Sequence, residues 1–144
     1  MNVFICQMCG HIEFGQAPAS CPVCGAPKEK FSQNDKVFDE SAANSPEGAV
    51  KHVPSITVKK ECGMIPEESC VDILVRVGKT LHPMEEKHYI TFLDLYIDKK
   101  YASRKLLTPA MYPAAVFHVK ETGKEVTVVE RCNLHGHWMD SAAI

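Results

Sequence analysis

From position 71 the chain alternates. Val71, Ile73, Val75 and Val77 are apolar, and Asp72, Leu74 and Arg76 separate them. A period of two predicts a strand with one face in a core. Residues 89–97 are apolar on both alternating sets, which predicts a central strand. Residues 115–119 and 126–129 flank Glu121-Thr122-Gly123-Lys124, which reads as a hairpin turn. Residues 55–60 and 101–107 are weaker strand candidates. No stretch of this half shows a sustained helical period with caps. About seven short strands in about 95 residues predict an antiparallel β-sandwich. Ahead of them, residues 32–48 read SQNDKVFDESAANSPEG, where only Val37 and Phe38 are large and apolar. This stretch is expected to be an exposed linker. The expected division is a metal-knuckle module at 1–33, a linker at 34–48 and the sandwich at 49–144.

Composition narrows the function. Of 144 residues, 45% are apolar and 24% charged, and the net charge is −2. That balance excludes a strongly basic nucleic-acid binder and an acidic disordered tail. No apolar run approaches a membrane span, and residues 1–8 do not read as a signal peptide. A cytoplasmic setting is therefore expected. Seven Cys and seven His in so short a chain make metal the first hypothesis.

The cysteines and histidines are segregated. Cys6-Gln7-Met8-Cys9-Gly10 and Cys21-Pro22-Val23-Cys24-Gly25 are two CxxCG knuckles with 11 residues between them. Each places two thiols on one tight turn, and the Gly permits a left-handed backbone that aims N–H groups at sulfur. Facing each other, they predict a tetrahedral S4 cage for iron or zinc. Two disulfides in a secreted mini-domain would use the same cysteines, but the paired spacing favours a metal. The module resembles the rubredoxin-like domain of rubrerythrins over residues 3–31. The likeness rests on the two knuckles, the run Cys21-Pro22-Val23-Cys24-Gly25-Ala26-Pro27-Lys28, and Phe31. It implies an Fe(Cys)4 centre cycling one electron, with zinc the alternative ion.

The second half carries three clusters: Lys51-His52-Val53-Pro54, His82-Pro83-Met84-Glu85-Glu86-Lys87-His88, and Cys132-Asn133-Leu134-His135-Gly136. His82 and His88 would stand about 20 Å apart on a straight strand. To share a metal, the chain must bend between them, and Pro83 is a place to do so. All three clusters are expected at strand ends or in loops, at one edge of the sandwich. In this order they resemble the superoxide reductases, the desulfoferrodoxin and neelaredoxin family, over about residues 46–140. The resemblance implies an immunoglobulin-like sandwich holding one iron, so that each chain carries two iron ions. His52, His82, His88 and His135 would be equatorial ligands and Cys132 the axial sulfur. Lys51 matches the family's catalytic lysine, steering superoxide and organising water for protonation.

The implied reaction reduces superoxide to hydrogen peroxide, with the N-terminal iron relaying electrons. Rubredoxin or a flavin-linked reductase is the expected donor, and a homodimer the expected assembly. Two departures stand out. Val50 occupies the position of a family Glu that can take the sixth iron position, and Glu47 is a distant substitute. Cys21 and Cys24 are separated by two residues, whereas the desulforedoxin module of two-iron relatives has its last two cysteines adjacent. Cys62 and Cys70 are expected to be reduced structural thiols, and His11, His118 and His137 ordinary surface or packing residues. Trp138 is expected near the iron loop. The rival readings are a non-catalytic zinc-ribbon partner-binding protein and a superoxide dismutase.

Overall fold

Strands β1 (Val3–Cys6), β2 (Ile12–Phe14) and β3 (Phe31–Gln33) form a small antiparallel sheet in the order β2-β1-β3. Two helices follow, α1 (Val37–Asn44) and α2 (Ala49–His52). The rest is β-structure: β4 (Pro54–Lys59), β5 (Cys70–Val77), β6 (Ile90–Ile97), β7 (Lys100–Leu106), β8 (Ala114–Lys120), β9 (Glu125–Cys132) and β10 (Gly136–Ala143). These coordinates are a computed structural model that describes residues 1–45 and 48–144. Strands β10-β9-β6-β7 make one antiparallel sheet and β4-β5-β8 the other. Together they form the expected sandwich.

The alternation in β5 does what period two requires. Val71, Ile73, Val75 and Val77 are buried and share a core with Leu93, Leu95, Val126 and Val128 of the facing sheet. Each such side chain contributes about 1.5–3 kcal/mol by leaving water.

Strand β6 is apolar on both sets because both its faces are covered. Its outer face carries Tyr96, which packs with Val3, Ile12, Val37 and Val129 beneath the N-terminal module. Asp94 lies on that face with no exposed surface. Arg104 meets its carboxylate with two bonds, Nε–Oδ1 at 2.6 Å and Nη2–Oδ2 at 2.8 Å. Arg104 also lies over the Phe92 ring and donates from Nη1 to the Cys9 carbonyl at 3.0 Å. His137 Nε2 donates to the Gly10 carbonyl at 2.8 Å. His11 is fully buried between Asp94 and Glu13. The first knuckle is thus bonded to the sheet, and His11 and His137 are joining residues rather than ordinary ones.

Four other expectations need correction. The 121–124 turn does not close a hairpin, because β8 pairs with β5 while β9 pairs with β6 and β10. Turn chemistry decides where a chain reverses, not which sheet receives it. The β6–β7 hairpin instead turns on Asp98 and Lys99, both with positive φ (50° and 65°), as a two-residue turn requires. The stretch expected as an exposed linker contains α1, anchored by the buried Val37 and packed on β10. Its Pro46 and Glu47 lie outside the described residues. Cys62 and Cys70 are joined as a disulfide. The loop returns Cys62 beside Cys70 with Cα atoms 5.2 Å apart, ordinary disulfide spacing. Finally, β10 was not expected, since Asp140, Ser141 and Ala142 dilute its apolar alternation.

Glu130 on β9 is fully buried, and neither carboxylate oxygen has a hydrogen-bond partner among the described residues. Burial pushes its carboxyl well above the ordinary 4.5. The folded chain therefore keeps a proton that the unfolded chain releases. The associated stability is present below about pH 4.5 and is lost as pH rises towards the folded value. Glu130→Gln cannot ionise, so it should flatten this decline. Denaturant midpoints at pH 5 and pH 8 should fall further apart in the native chain than in the variant.

Candidate metal centres

The two N-terminal knuckles face each other as expected. Gly10 and Gly25 adopt φ of +79° and +77°, and their N–H groups bond the Cys6 and Cys21 carbonyls at 2.9 Å. Cys6 Sγ lies 3.6 Å from Cys24 Sγ, and Cys9 Sγ lies 3.7 Å from Cys21 Sγ. A tetrahedron with metal–sulfur bonds of ~2.3 Å has edges of about 3.8 Å. Four sulfurs at this spacing fit a single iron or zinc ion. The Ala26 N–H lowers the exposed Cys24 thiol to about 7, while burial raises Cys9 and Cys21. Loading an ion therefore has to expel protons from Cys9 and Cys21.

The second centre is assembled at one end of the sandwich. His52 ends helix α2, so this ligand comes from a helix where a strand end or loop was expected. His82 follows β5. His88 closes a tight turn in which Glu85 and His88 exchange backbone hydrogen bonds at 2.9 and 3.0 Å. That turn supplies the bend the sequence required between the two histidines. Cys132 ends β9, and His135 lies in the connection to β10. This Cys132-x-x-His135-Gly136 turn repeats the knuckle design, with Gly136 at φ +79° and N–H groups of Leu134 and His135 directed at the buried sulfur.

All five side chains converge. Ligand atoms of His52, His88, Cys132 and His135 lie within 4.8 Å of one another. His82 Nε2 is 3.2 Å from His52 Nε2, and its ring is 4.6 Å from that of His88. His135 presents Nδ1, 3.6 Å from Cys132 Sγ.

The hydrogen bonds show what the cluster accommodates. His52 Nδ1 donates to the Gly48 carbonyl at 2.8 Å, and His82 Nδ1 donates to the Pro83 carbonyl at 2.7 Å. These bonds assign each proton to Nδ1, which leaves a lone pair on each Nε2. Two lone pairs 3.2 Å apart repel unless a cation sits between them. His88 Nε2 is buried with no hydrogen-bond partner among the described residues. Burial lowers the pKa of His52 and His88 and takes His82 down to about 4, which keeps the rings neutral, as ligands must be. Burial raises the Cys132 thiol, so its proton leaves only when a cation replaces it. Neutral imidazoles and one thiol with unsatisfied donor atoms fit a borderline transition metal.

Several supporting residues escaped the sequence reading. Asn133 accepts the Tyr89 N–H at 3.0 Å and donates to the Lys87 carbonyl at 3.1 Å, which clamps the His88 turn to the Cys132 loop. It lies inside the Cys-x-x-His motif, which was the one available signal. Trp138 does sit at the centre: it stacks on His52 at 4.8 Å and donates to the His135 carbonyl at 3.1 Å. Lys51 is exposed beside His52, and Val50 is 52% exposed, with no carboxylate to offer. Gly78 has φ +87°, and a Cβ there would lie 2.6 Å from the Lys51 carbonyl oxygen and collide with that of Thr80. Gly78→Ala is therefore expected to displace the Lys51–His52 turn. Weaker metal retention on dialysis and a lower melting temperature would register it.

A family model described as desulfoferrodoxin matches residues 44–141, and one described as the rubredoxin-like domain of rubrerythrin matches residues 4–32. A desulfoferrodoxin of Desulfarculus baarsii is 33% identical over 139 residues, covering 96% of this chain and 94% of the relative. A solved superoxide reductase (1Fe-SOR) of Giardia intestinalis is 31% identical, with a TM-score of 0.52, over 65% of this chain and 98% of that one. The superoxide reductase structure of Treponema pallidum covers 97% of this chain and 98% of its own, with a TM-score of 0.60; at 22% identity this likeness speaks for the fold alone.

Proposed function

The chain belongs to the desulfoferrodoxin family, and on that premise we propose that it is a superoxide reductase, an oxidoreductase that turns superoxide into hydrogen peroxide. The observation that carries this reading is the convergence of His52, His82, His88, His135 and Cys132 with lone pairs that only a cation reconciles. We assign iron to this centre and to the Cys6, Cys9, Cys21 and Cys24 cage. Iron in these two sites supplies the electrons, so that superoxide, one electron and two protons give hydrogen peroxide.

The chain's own residues do the rest. Exposed Lys51 places a cation beside the site, where it attracts a small anion and holds water that can donate protons. Its charge reaches both His52 and His88, adding to the effect of burial on their rings. Val50 itself offers no carboxylate beside Lys51, which favours an anion's approach. Cys132 contributes a soft sulfur held by backbone N–H groups. His137 lies two residues beyond His135 and bonds the Gly10 carbonyl. One hydrogen bond therefore links the cage's first knuckle to the strand that follows a ligand, within a single chain.

In this reading residues 1–33 form the electron-transfer module, 34–48 the connection and 49–144 the catalytic sandwich. Exposed Cys24 gives a donor access to the cage, and rubredoxin or a flavin-linked reductase has the required chemistry. The working assembly is a cytoplasmic homodimer. No helix among the described residues is long and apolar enough to cross a membrane.

Anaerobic metal analysis with visible and EPR spectra in both redox states tests the assignment. Two irons per chain are expected, one in each ligand class. Peroxide should form without dioxygen and in step with donor oxidation. A colourless chain holding two zinc ions would sink the proposal, and dioxygen release would make the activity a dismutation.

A further inference from the structure

A third group of metal-type donors lies on the outer face of the β4-β5-β8 sheet, and the proposed reaction does not use it. Cys70 and Asp72 are two apart on β5 and point away from the Val71, Ile73 and Val75 core. His118 on β8 is the register partner of Asp72. The 62–69 loop brings Cys62 back over them. One donor atom from each of Cys62, Cys70, Asp72 and His118 lies within 4.8 Å of all the others. His118 Nδ1 is 2.8 Å from Asp72 Oδ1, 3.3 Å from Cys62 Sγ and 3.9 Å from Cys70 Sγ. Cys70 Sγ is 4.0 Å from Asp72 Oδ1. A tetrahedral zinc site with two sulfurs, one nitrogen and one oxygen has edges of about 3.3 to 3.8 Å. The observed separations bracket that range. Both cysteines are nearly buried, whereas His118 keeps about a third of its side chain in solvent, which leaves a path for an ion.

We propose that Cys62, Cys70, Asp72 and His118 form a zinc-type divalent metal site that closes to the Cys62–Cys70 disulfide when its thiolates are oxidised. The Cys62–Cys70 disulfide is the oxidised end of this exchange. The donor set selects the ion: two soft thiolates with an imidazole and a carboxylate suit zinc and exclude calcium and magnesium. With the sulfurs bonded to each other, neither retains a thiolate charge, so affinity collapses. A peroxide is the oxidant. Two thiolates give two electrons and form the S–S bond; hydrogen peroxide takes those electrons with two protons and leaves as two waters, and the ion is released. This site does not depend on the activity proposed above, since peroxide from any source would act.

The test uses the full chain with its other centres loaded, reduced anaerobically with a phosphine. Zinc titration should add one equivalent, and cobalt(II) should give the intense visible bands of a tetrahedral thiolate site. Hydrogen peroxide should then release one zinc with the loss of two thiols. The double variant Cys62→Ser, Cys70→Ser should lose the added equivalent. His118→Ala keeps both sulfurs on a partly exposed strand position; it should weaken zinc by on the order of 100-fold or more yet still form the disulfide. Should the serine variant fail to fold, the histidine variant decides alone. No added zinc in the reduced native chain, or zinc uptake unchanged by His118→Ala, would overturn the proposal.

Discussion

With the proposed iron bound, Cys132→Ser is expected to lower superoxide reduction by at least about 100-fold and to remove the sulfur-to-iron absorption of the second centre, while the chain stays folded. Losing a partner that merely orients a ligand already costs about 10–100-fold in metal affinity or activity. Here a ligand itself is lost. Serine's hydroxyl does not ionise near neutral pH, so the site exchanges a soft anionic donor for a neutral hard one. The turn that holds the position is built from backbone: Gly136 at φ +79° and N–H groups from Leu134 and His135 survive the change. Serine is close to cysteine in size, and Cys132 pairs with Gly136 and Ile90 through main chain, so β9 keeps its register. Four histidines remain, and iron should still load, more weakly. The Cys6, Cys9, Cys21 and Cys24 absorption is the internal control, because it should not change. A variant that turned over at the native rate would remove sulfur from the proposed ligand set.

The sequence exposed most of this centre because its ligands sit in local motifs. His82 and His88 demanded a bend, and the 85–88 turn supplies it. Cys132, His135 and Gly136 follow a knuckle logic shared with the cage, since a single positive-φ glycine suffices to aim N–H groups at sulfur. The period-two pattern of β5 likewise named its buried face correctly.

What stayed hidden depends on residues far apart in the chain. Residues 89–97 were apolar on both sets, but nothing local indicated that the N-terminal module covers the outer face. Nothing local to Asp94 or Arg104 marks them as partners; burial makes them a pair. His118 carries no motif because Cys62 and Cys70 lie 56 and 48 residues away; Cys70 meets it through the β5–β8 pairing and Cys62 through the returning 62–69 loop. A reducing compartment favours free thiols at Cys62 and Cys70, but compartment is silent on how close the fold brings them. The 121–124 turn misled for the same reason: strand partners are chosen by the whole sandwich.

Arg104→Met should destabilise the folded chain by about 3–5 kcal/mol, the cost of stripping one partner from a buried ion pair. Asp94 has no exposed surface, and both its oxygens are held by Arg104 at 2.6 and 2.8 Å. His11 touches one of those oxygens at 3.3 Å; burial opposes its positive charge, but the Asp94 and Glu13 carboxylates outweigh burial and raise its pKa, so this one longer contact offsets part of the lost guanidinium and not both of its bonds. Methionine fills much of the arginine's volume over the Phe92 ring, and so the loss is chiefly electrostatic. Adding Asp94→Asn removes the stranded charge and should restore part of the stability, which separates a charge effect from a packing effect. If the single and double variants unfold at the same denaturant midpoint, the pair is not what holds this face together. The change reaches function as well. Arg104 Nη1 also holds the Cys9 carbonyl at 3.0 Å, leaving His137 with Gly10 as the remaining polar tie between the first knuckle and β10. In the proposed relay a loosened knuckle lengthens the route between the two centres. Reoxidation of the cysteine cage by superoxide, followed by its visible absorption, should slow in Arg104→Met under conditions where the chain is still folded. The second centre, whose ligands lie on other elements, should keep its own spectrum.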